Sequence, residues 1–263
     1  MTKITRLTIN SSQCPDDMNI NTLSYPIIIG RRGYKKRYPE NTMASFKAAR
    51  DQCIQMIELD IRLSKDNRFP VIHDPTLERT TNGRGAVIEH TMTELKELDA
   101  GSWFHPDFAC ERIPALEELL IYTKDQMAVN IEMKFESGKH LSRLDISARL
   151  LANTLESLKI DHQVIISSFN YPFLKQLSTI KRSLFLGVLS KGKSAREMLP
   201  VCQSLNAYSW HTDYISIDQN QVDLIKSNGF RVFAYTVNDQ LEVKRLIQQN
   251  IDAIISDELT LRL

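Results

Sequence analysis

The sequence predicts an α/β fold: a parallel sheet with helices outside it, on the scale of one (β/α)8 TIM barrel. Three observations carry this. Short apolar, β-branched runs recur along the chain, and amphipathic stretches separate most of them. The 263 residues fit the roughly 250 typical of one eight-stranded barrel. Length alone also allows two small domains. A composition of 42% hydrophobic and 25% charged residues is that of a globular chain able to bury a large core.

Residues 1–25 are polar and lack the uninterrupted apolar stretch of a signal peptide. They are expected to form a loosely ordered N-terminal extension, with the folded unit spanning 26–263. The first strand, Pro26–Gly30, runs into Gly30-Arg31-Arg32-Gly33, whose glycines permit close approach of backbone to a ligand. Asn41-Thr42 offers an N-cap for a helix over Thr42–Gln52. The second strand is Met56–Ile61. The step from Asp60 to Phe69 has no room for a crossover helix, and Ser64–Arg68 reads as a turn. Phe69–His73 is therefore expected as a third strand in a hairpin with the second.

Residues 75–112 break the rhythm. They are long for a βα loop, rich in Thr and Gly, and carry one short helix near Thr93–Leu98. Such a segment after the third strand is expected to be a lid or a small insertion. Helix Ile113–Lys124, strand Ala128–Lys134 and helix Leu141–Leu158 follow. The remaining strands are Val164–Ser168, Leu184–Leu189, Tyr214–Ile217, Arg231–Thr236 and Ala253–Ser256. The remaining helices are Tyr171–Leu177, Asn220–Ser227 and Asp239–Gln249. Asn238-Asp239 supplies an N-cap and Gly229 a helix stop. Nine strands are one too many for a simple barrel.

The formal net charge of +1 gives no reason to expect nucleic acid or an acidic membrane as partner. Lys35-Lys36-Arg37 reads either as solvated loop charge or as substrate contact. Cys14, Cys53, Cys110 and Cys202 form no CxxC pair, so a reduced, cytoplasmic setting is the simpler reading. No run of 18 apolar residues exists, and no membrane span is expected.

Glu58 and Asp60 stand two apart on a strand and so share a side. Two carboxylates on an otherwise apolar strand are costly in a core. At the C-terminal end of a barrel strand they make half of a metal site, and Glu132 offers a third oxygen. Such a site suits one divalent cation, Mg²⁺ or Ca²⁺, with Mn²⁺ as a further option. The bland alternative turns the pair outward into salt bridges. Lys134 follows Glu132 at the same-side spacing and can neutralise a phosphate. His73 ends an apolar strand, and the hairpin brings it near the carboxylates as an acid or base. Arg32 and Arg31 can grip phosphate. Glu40 is helix-start chemistry, or a contact to a substrate hydroxyl or the metal. Phe169 and Tyr235 fall at strand ends, as pocket walls or as core. His90, His105, His140, His162 and His211 read mainly as surface residues. His211 and Trp210, after a short strand at Asn206–Ser209, are within reach of a pocket.

Taken in order, these residues resemble the glycerophosphodiester phosphodiesterases. The motifs are Arg31-Arg32-Gly33, Pro39–Thr42, Glu58-Leu59-Asp60, His73-Asp74, Glu132-Met133-Lys134, Ser168-Phe169, Tyr235-Thr236-Val237-Asn238 and Asp252–Asp257. Leu77–Gly83 and Asp99–Phe104 look like the family's insertion. The resemblance implies a phospholipase-C-like barrel that hydrolyses a small glycerophosphodiester to glycerol-3-phosphate and an alcohol. It implies a metal on Glu58, Asp60 and Glu132, and phosphate contacts from Arg32 and Lys134. The family uses two histidines as acid and base; His73 matches the second and Arg31 stands at the first. Arginine cannot take a proton, since its pKa exceeds about 12. Arg31 therefore implies a slow enzyme, an enzyme in which His73, water or His105 covers the role, or a phosphodiester-binding pseudoenzyme. A related metal-dependent lipid phosphodiesterase is a further reading, with Trp103-Phe104 as its hint.

Overall fold

The computed structural model describes residues 18–135 and 141–263. Eight parallel strands close into a barrel in chain order. They are β1 (Ile27–Arg31), β2 (Met56–Ile61), β3 (Ala128–Met133), β4 (Val164–Ser168), β5 (Phe185–Leu189), β6 (Ser209–Asp213), β7 (Arg231–Tyr235) and β8 (Ala253–Ser256). The helices are α1 (Met43–Asp51), α2 (Met92–Lys96), α3 (Leu116–Thr123), α4 (Leu141–Leu158), α5 (Tyr171–Ile180), α6 (Ala195–Leu205), α7 (Gln219–Ser227) and α8 (Gln240–Gln248).

The ninth predicted strand is the first correction. Phe69–His73 makes only single antiparallel bridges, Val71 to Ile61 and Pro70 to Ala115. It does fold back on the end of β2, with the Arg62 amide donating to the Pro70 carbonyl at 3.2 Å. But β2 already pairs with β3 along its whole length, and Pro70 has no N–H for a ladder. The insertion therefore lies between β2 and β3. It packs around its own small core of Ile72, Leu77, Val87, Met92, Leu95 and Ile113.

The second correction concerns the stretch between β5 and β7. Tyr214–Ile217 is not a strand; the strand lies just before it, at β6, and Ile215 is exposed. Helix α6 has no counterpart among the predicted helices. Pro200 sits inside it, but Ser194 and Glu197 form a capping box at its start. Ala195, Met198, Cys202 and Leu205 are its buried face.

Met18, Ile20 and the 3-10 turn Ile20–Thr22 close the N-terminal mouth of the barrel. They pack on the inward residues Ile27, Ile29, Met56, Ala128, Ile165, Phe233, Ala253 and Ile255. So Met18 and Ile20 of the predicted extension are packed on the barrel; residues 1–17 and His140 lie outside the described residues. A larger core fills the space between strands and helices. No described helix is long and apolar enough to cross a membrane.

Candidate active site

Strand register fixes what reaches the C-terminal mouth. Glu58 pairs with Asn130 and Asp60 with Glu132, so alternate residues of β2 and β3 share one inner side. Arg31 stands level with Glu58 on the neighbouring strand. One oxygen from each of Glu58, Asp60 and Glu132 lies within 4.8 Å of the others, and all three residues are buried.

The turn after β1 is built by Gly30-Arg31-Arg32-Gly33. Arg32 and Gly33 both adopt positive φ, 52° and 82°, a conformation that glycine takes without steric cost. The Gly33 amide donates back to the Gly30 carbonyl at 3.2 Å. This folds the Arg32 amide onto Glu58 Oε2 at 3.0 Å. The Arg32 guanidinium donates to Glu40 at 2.7 Å and has its Nε 3.0 Å from Asp60. Asn41, also left-handed with φ 58°, donates from its side chain to Asp60 Oδ2 at 3.0 Å.

Lys134 reaches back over the cluster, 2.5 Å from Glu132 and 3.2 Å from Asp60 Oδ1. His73 sits at the edge, with Nδ1 2.6 Å from Asp74 Oδ1. Asp74 is in turn bonded by Arg79 at 2.5 Å. Arg79 also donates twice to Glu40, at 2.8 and 3.0 Å. Glu40 is thus a brace between the β1 turn and the insertion, its carboxylate taken up by two arginines.

Electrostatics sharpens the cluster. Burial and the adjacent Asp60 charge push the Glu58 carboxyl up to about 8. Burial and Asp60 likewise raise Glu132. For Asp60, burial is outweighed by Lys134 and Arg32, and its carboxyl is held well below the ordinary range. One of three carboxylates keeps its charge easily and two resist it. Asp60 Oδ1 accepts no well-formed hydrogen bond despite its burial. A set of three oxygen donors this short of positive charge fits a hard divalent cation.

Not every predicted residue joins this centre. Arg31 turns to the rim, its Nη1 3.3 Å from Asp257 Oδ1. Phe169 is 47% exposed at the end of β4, so it is no core residue. Tyr235 is partly buried and donates to the Ser190 carbonyl at 2.6 Å. His105 is exposed on the insertion beside Asp107. His211 is a correction: it is fully buried inside the barrel, not at the surface. Trp210 faces the opposite way, buried in the outer core with its indole N–H on Ser190 Oγ at 2.8 Å.

Sequence reading left Asn41, Arg79, Asp74 and Asp257 out of the site. Asn41, Asp74 and Asp257 sit inside the ordered motifs that carry the resemblance, so motif membership is the available signal. Arg79 lies in the insertion stretch Leu77–Gly83, yet its partners are 39 and 5 residues away and nothing local points to them.

A closed parallel barrel with an acidic cluster, an imidazole and buried cations at its C-terminal mouth is the build of a barrel enzyme, whose active site lies at that face. The model of the glycerophosphoryl diester phosphodiesterase family matches residues 32–261, and the chain belongs to that family. A glycerophosphodiester phosphodiesterase of Caldanaerobacter subterraneus is 39% identical over 234 residues, 88% of this chain and 94% of that one. A Bacillus subtilis glycerophosphodiester phosphodiesterase is 29% identical, covering 88% of this chain and 83% of its own length. Among solved structures, an Oleispira antarctica phosphodiesterase in complex with the product sn-glycerol-3-phosphate superposes with a TM-score of 0.79. It is 32% identical, with 89% of this chain and 93% of that chain covered.

Proposed function

We propose that the chain hydrolyses glycerophosphodiesters to glycerol-3-phosphate and an alcohol, with a divalent metal and with His73 as its proton carrier. The observation that carries this reading is the grouping of Glu58, Asp60 and Glu132 with Arg32 and Lys134 beside His73. A metal on the three carboxylates, Mg²⁺ or Ca²⁺ by its all-oxygen donors and Mn²⁺ as a further choice, would polarise the phosphoryl oxygens. Arg32 and Lys134 would hold the phosphate, and Phe169 and Tyr235 would wall the glycerol.

His73 is oriented for its task. Asp74, held ionised first by its hydrogen bond from Arg79, can only accept from Nδ1. Nε2 is left to take the proton of the attacking glycerol hydroxyl. That oxygen attacks phosphorus, the alcohol oxygen departs, and water opens the cyclic ester. Arg31 can stabilise negative charge on the departing oxygen but cannot protonate it. One missing acid or base costs about 10²–10⁴ in rate, so this chain is a slow member of its class. Binding without turnover is the second reading, favoured by the engagement of Arg31 with Asp257. A cytoplasmic setting belongs to the same proposal, supported by free Cys53, Cys110 and Cys202.

The test is glycerol-3-phosphate release from glycerophosphocholine and glycerophosphoethanolamine with Mg²⁺, Ca²⁺, Mn²⁺ or EDTA. Arg31→His is expected to raise metal-dependent turnover by about 10²–10⁴. A parent chain already as fast as the variant overturns the role given to position 31. Silence of both proteins in every metal moves the binding-only reading forward.

A further inference from the structure

At the rim of the site the charges do not balance. Arg31 Nη1 lies 3.3 Å from Asp257 Oδ1, and Lys35 Nζ lies 3.6 Å from the same oxygen. The other Asp257 oxygen accepts from Asn238 Nδ2 at 3.0 Å. Two cations therefore share one carboxylate. Among the described residues, Asp257 is the only carboxylate that pairs with either. Asp213, the acid at the end of β6, is occupied by the amides of Gly192 and Ser216. Both cationic side chains keep about a quarter of their surface open, 23% for Arg31 and 27% for Lys35.

The carboxylate cluster accounts for its own charge. Three carboxylates of the cluster face Arg32 and Lys134; a divalent ion leaves one positive charge, which a phosphodiester monoanion cancels. On the insertion side, Glu40 and Asp74 outnumber Arg79 by one negative charge. The rim group of Arg31, Lys35 and Asp257 carries one positive charge; the spare negative charge of Glu40 acts on Lys35 only through space, with no ion pair, and both cations stay partly open to a ligand.

We propose that Arg31 and Lys35 form an anion subsite beside the phosphate position, which takes a second negative charge on the ligand. The inference rests on the diesterase reading above. Two sources supply such a charge. One is a phosphate monoester, close to a dianion at neutral pH, which is the chemistry of the hydrolysis product. The other is an anionic group on the alcohol arm of the diester.

Ligands built on 1,3-propanediol lack the hydroxyl next to the esterified carbon, so they bind without the proposed cleavage. The ethyl diester, the 2-carboxyethyl diester and the monoester would be titrated by calorimetry into the full chain with Mg²⁺. The ethyl diester is expected to bind, and at least one doubly charged ligand to bind about tenfold tighter, the scale of one unit charge at a partly solvated site. A gain for the monoester alone assigns the subsite to the phosphate itself; a gain for the carboxyethyl diester assigns it to the alcohol arm. Lys35→Gln, and separately Arg31→Gln, should erase most of the gain. Equal affinity for all three ligands, or a preference that survives both substitutions, overturns the subsite and leaves the diesterase reading standing. Failure of all three to bind overturns both.

Discussion

At the residue scale, the proposed proton carrier is His73, and its neighbours decide how it titrates. Burial lowers its pKa below the ordinary 6.5, with the Asp60 charge opposing and the Arg32 and Lys134 charges adding to the fall. A base with a lowered pKa is already free of its proton at neutral pH. The kcat/KM profile should therefore rise with pH and level off, with its midpoint below 6.5. His73→Gln should cost about 10²–10⁴ in turnover while leaving diester binding in place. A midpoint above 7, or an unimpaired variant, removes His73 from the role. Residues of this kind were partly legible in the sequence. Glu58, Asp60, Glu132 and Lys134 reveal themselves because a strand repeats every two residues, so same-side spacing can be counted along the chain. Arg79 and Asp257 could not be counted that way. Their function depends on which loop folds over which strand end, and that is settled by the insertion's own small core and by closure of β8 against β1.

At the scale of elements, β2 and β3 do the gathering. Six consecutive register pairs bind them, and one of these sets Asp60 against Glu132. Bringing three carboxylates together in a buried place destabilises the metal-free protein. Glu58 shows the sign. Its folded pKa of about 8 lies above the ordinary 4.5, so the folded state holds a proton that the unfolded state releases. Metal-free stability contributed by this group is full below about pH 4.5 and is lost as pH rises through 8. A divalent ion bound at Glu58 would displace that proton, so its effect should grow from pH 5 to pH 8. At about 100 times the dissociation constant, binding stabilises by roughly 2.7 kcal/mol. For a chain of this size that is about 5–10 °C in melting temperature. Glu58→Gln should raise the metal-free melting temperature at pH 8 and remove most of the metal increment. An increment equal in parent and variant would exclude Glu58 as a ligand. The elements themselves were read from sequence with two informative failures. Phe69–His73 has the apolar pattern of a strand but lies beside a strand with no free edge. Helix α6 carries an internal proline, and its capping box and buried face hold it regardless.

At the scale of the whole molecule, the barrel interior changes character from floor to mouth. Met18 and Ile20 plug an apolar floor, charged residues fill the mouth, and between them lies a polar middle that includes Asn130, Ser167, Ser209 and His211. Gly187 on β5 makes room for the imidazole: a Cβ at this position would stand 2.8 Å from the His211 ring. The ring stacks on Phe233 at 4.7 Å between centroids, and Nε2 lies 2.8 Å from Ser209 Oγ. Among the described residues no carboxylate pairs with the ring, and burial pushes its pKa down to about 3. This makes one interior residue a determinant of acid stability for the entire barrel. The unfolded chain binds a proton at His211 below its ordinary 6.5, and the folded chain does not until about pH 3. Between those values unfolding takes up one proton here, so stability falls as pH falls, by about 1.4 kcal/mol per pH unit. His211→Gln carries no such proton in either state. Urea denaturation with EDTA at pH 4, 5, 6 and 7 should show the parent losing stability more steeply than the variant, by about 1.4 kcal/mol per unit once below pH 6. Carboxylate contributions, including the opposing one from Glu58, are common to both proteins and drop out of the difference. Parallel slopes would mean that His211 takes its proton inside the folded barrel, and that the polar middle layer admits charge.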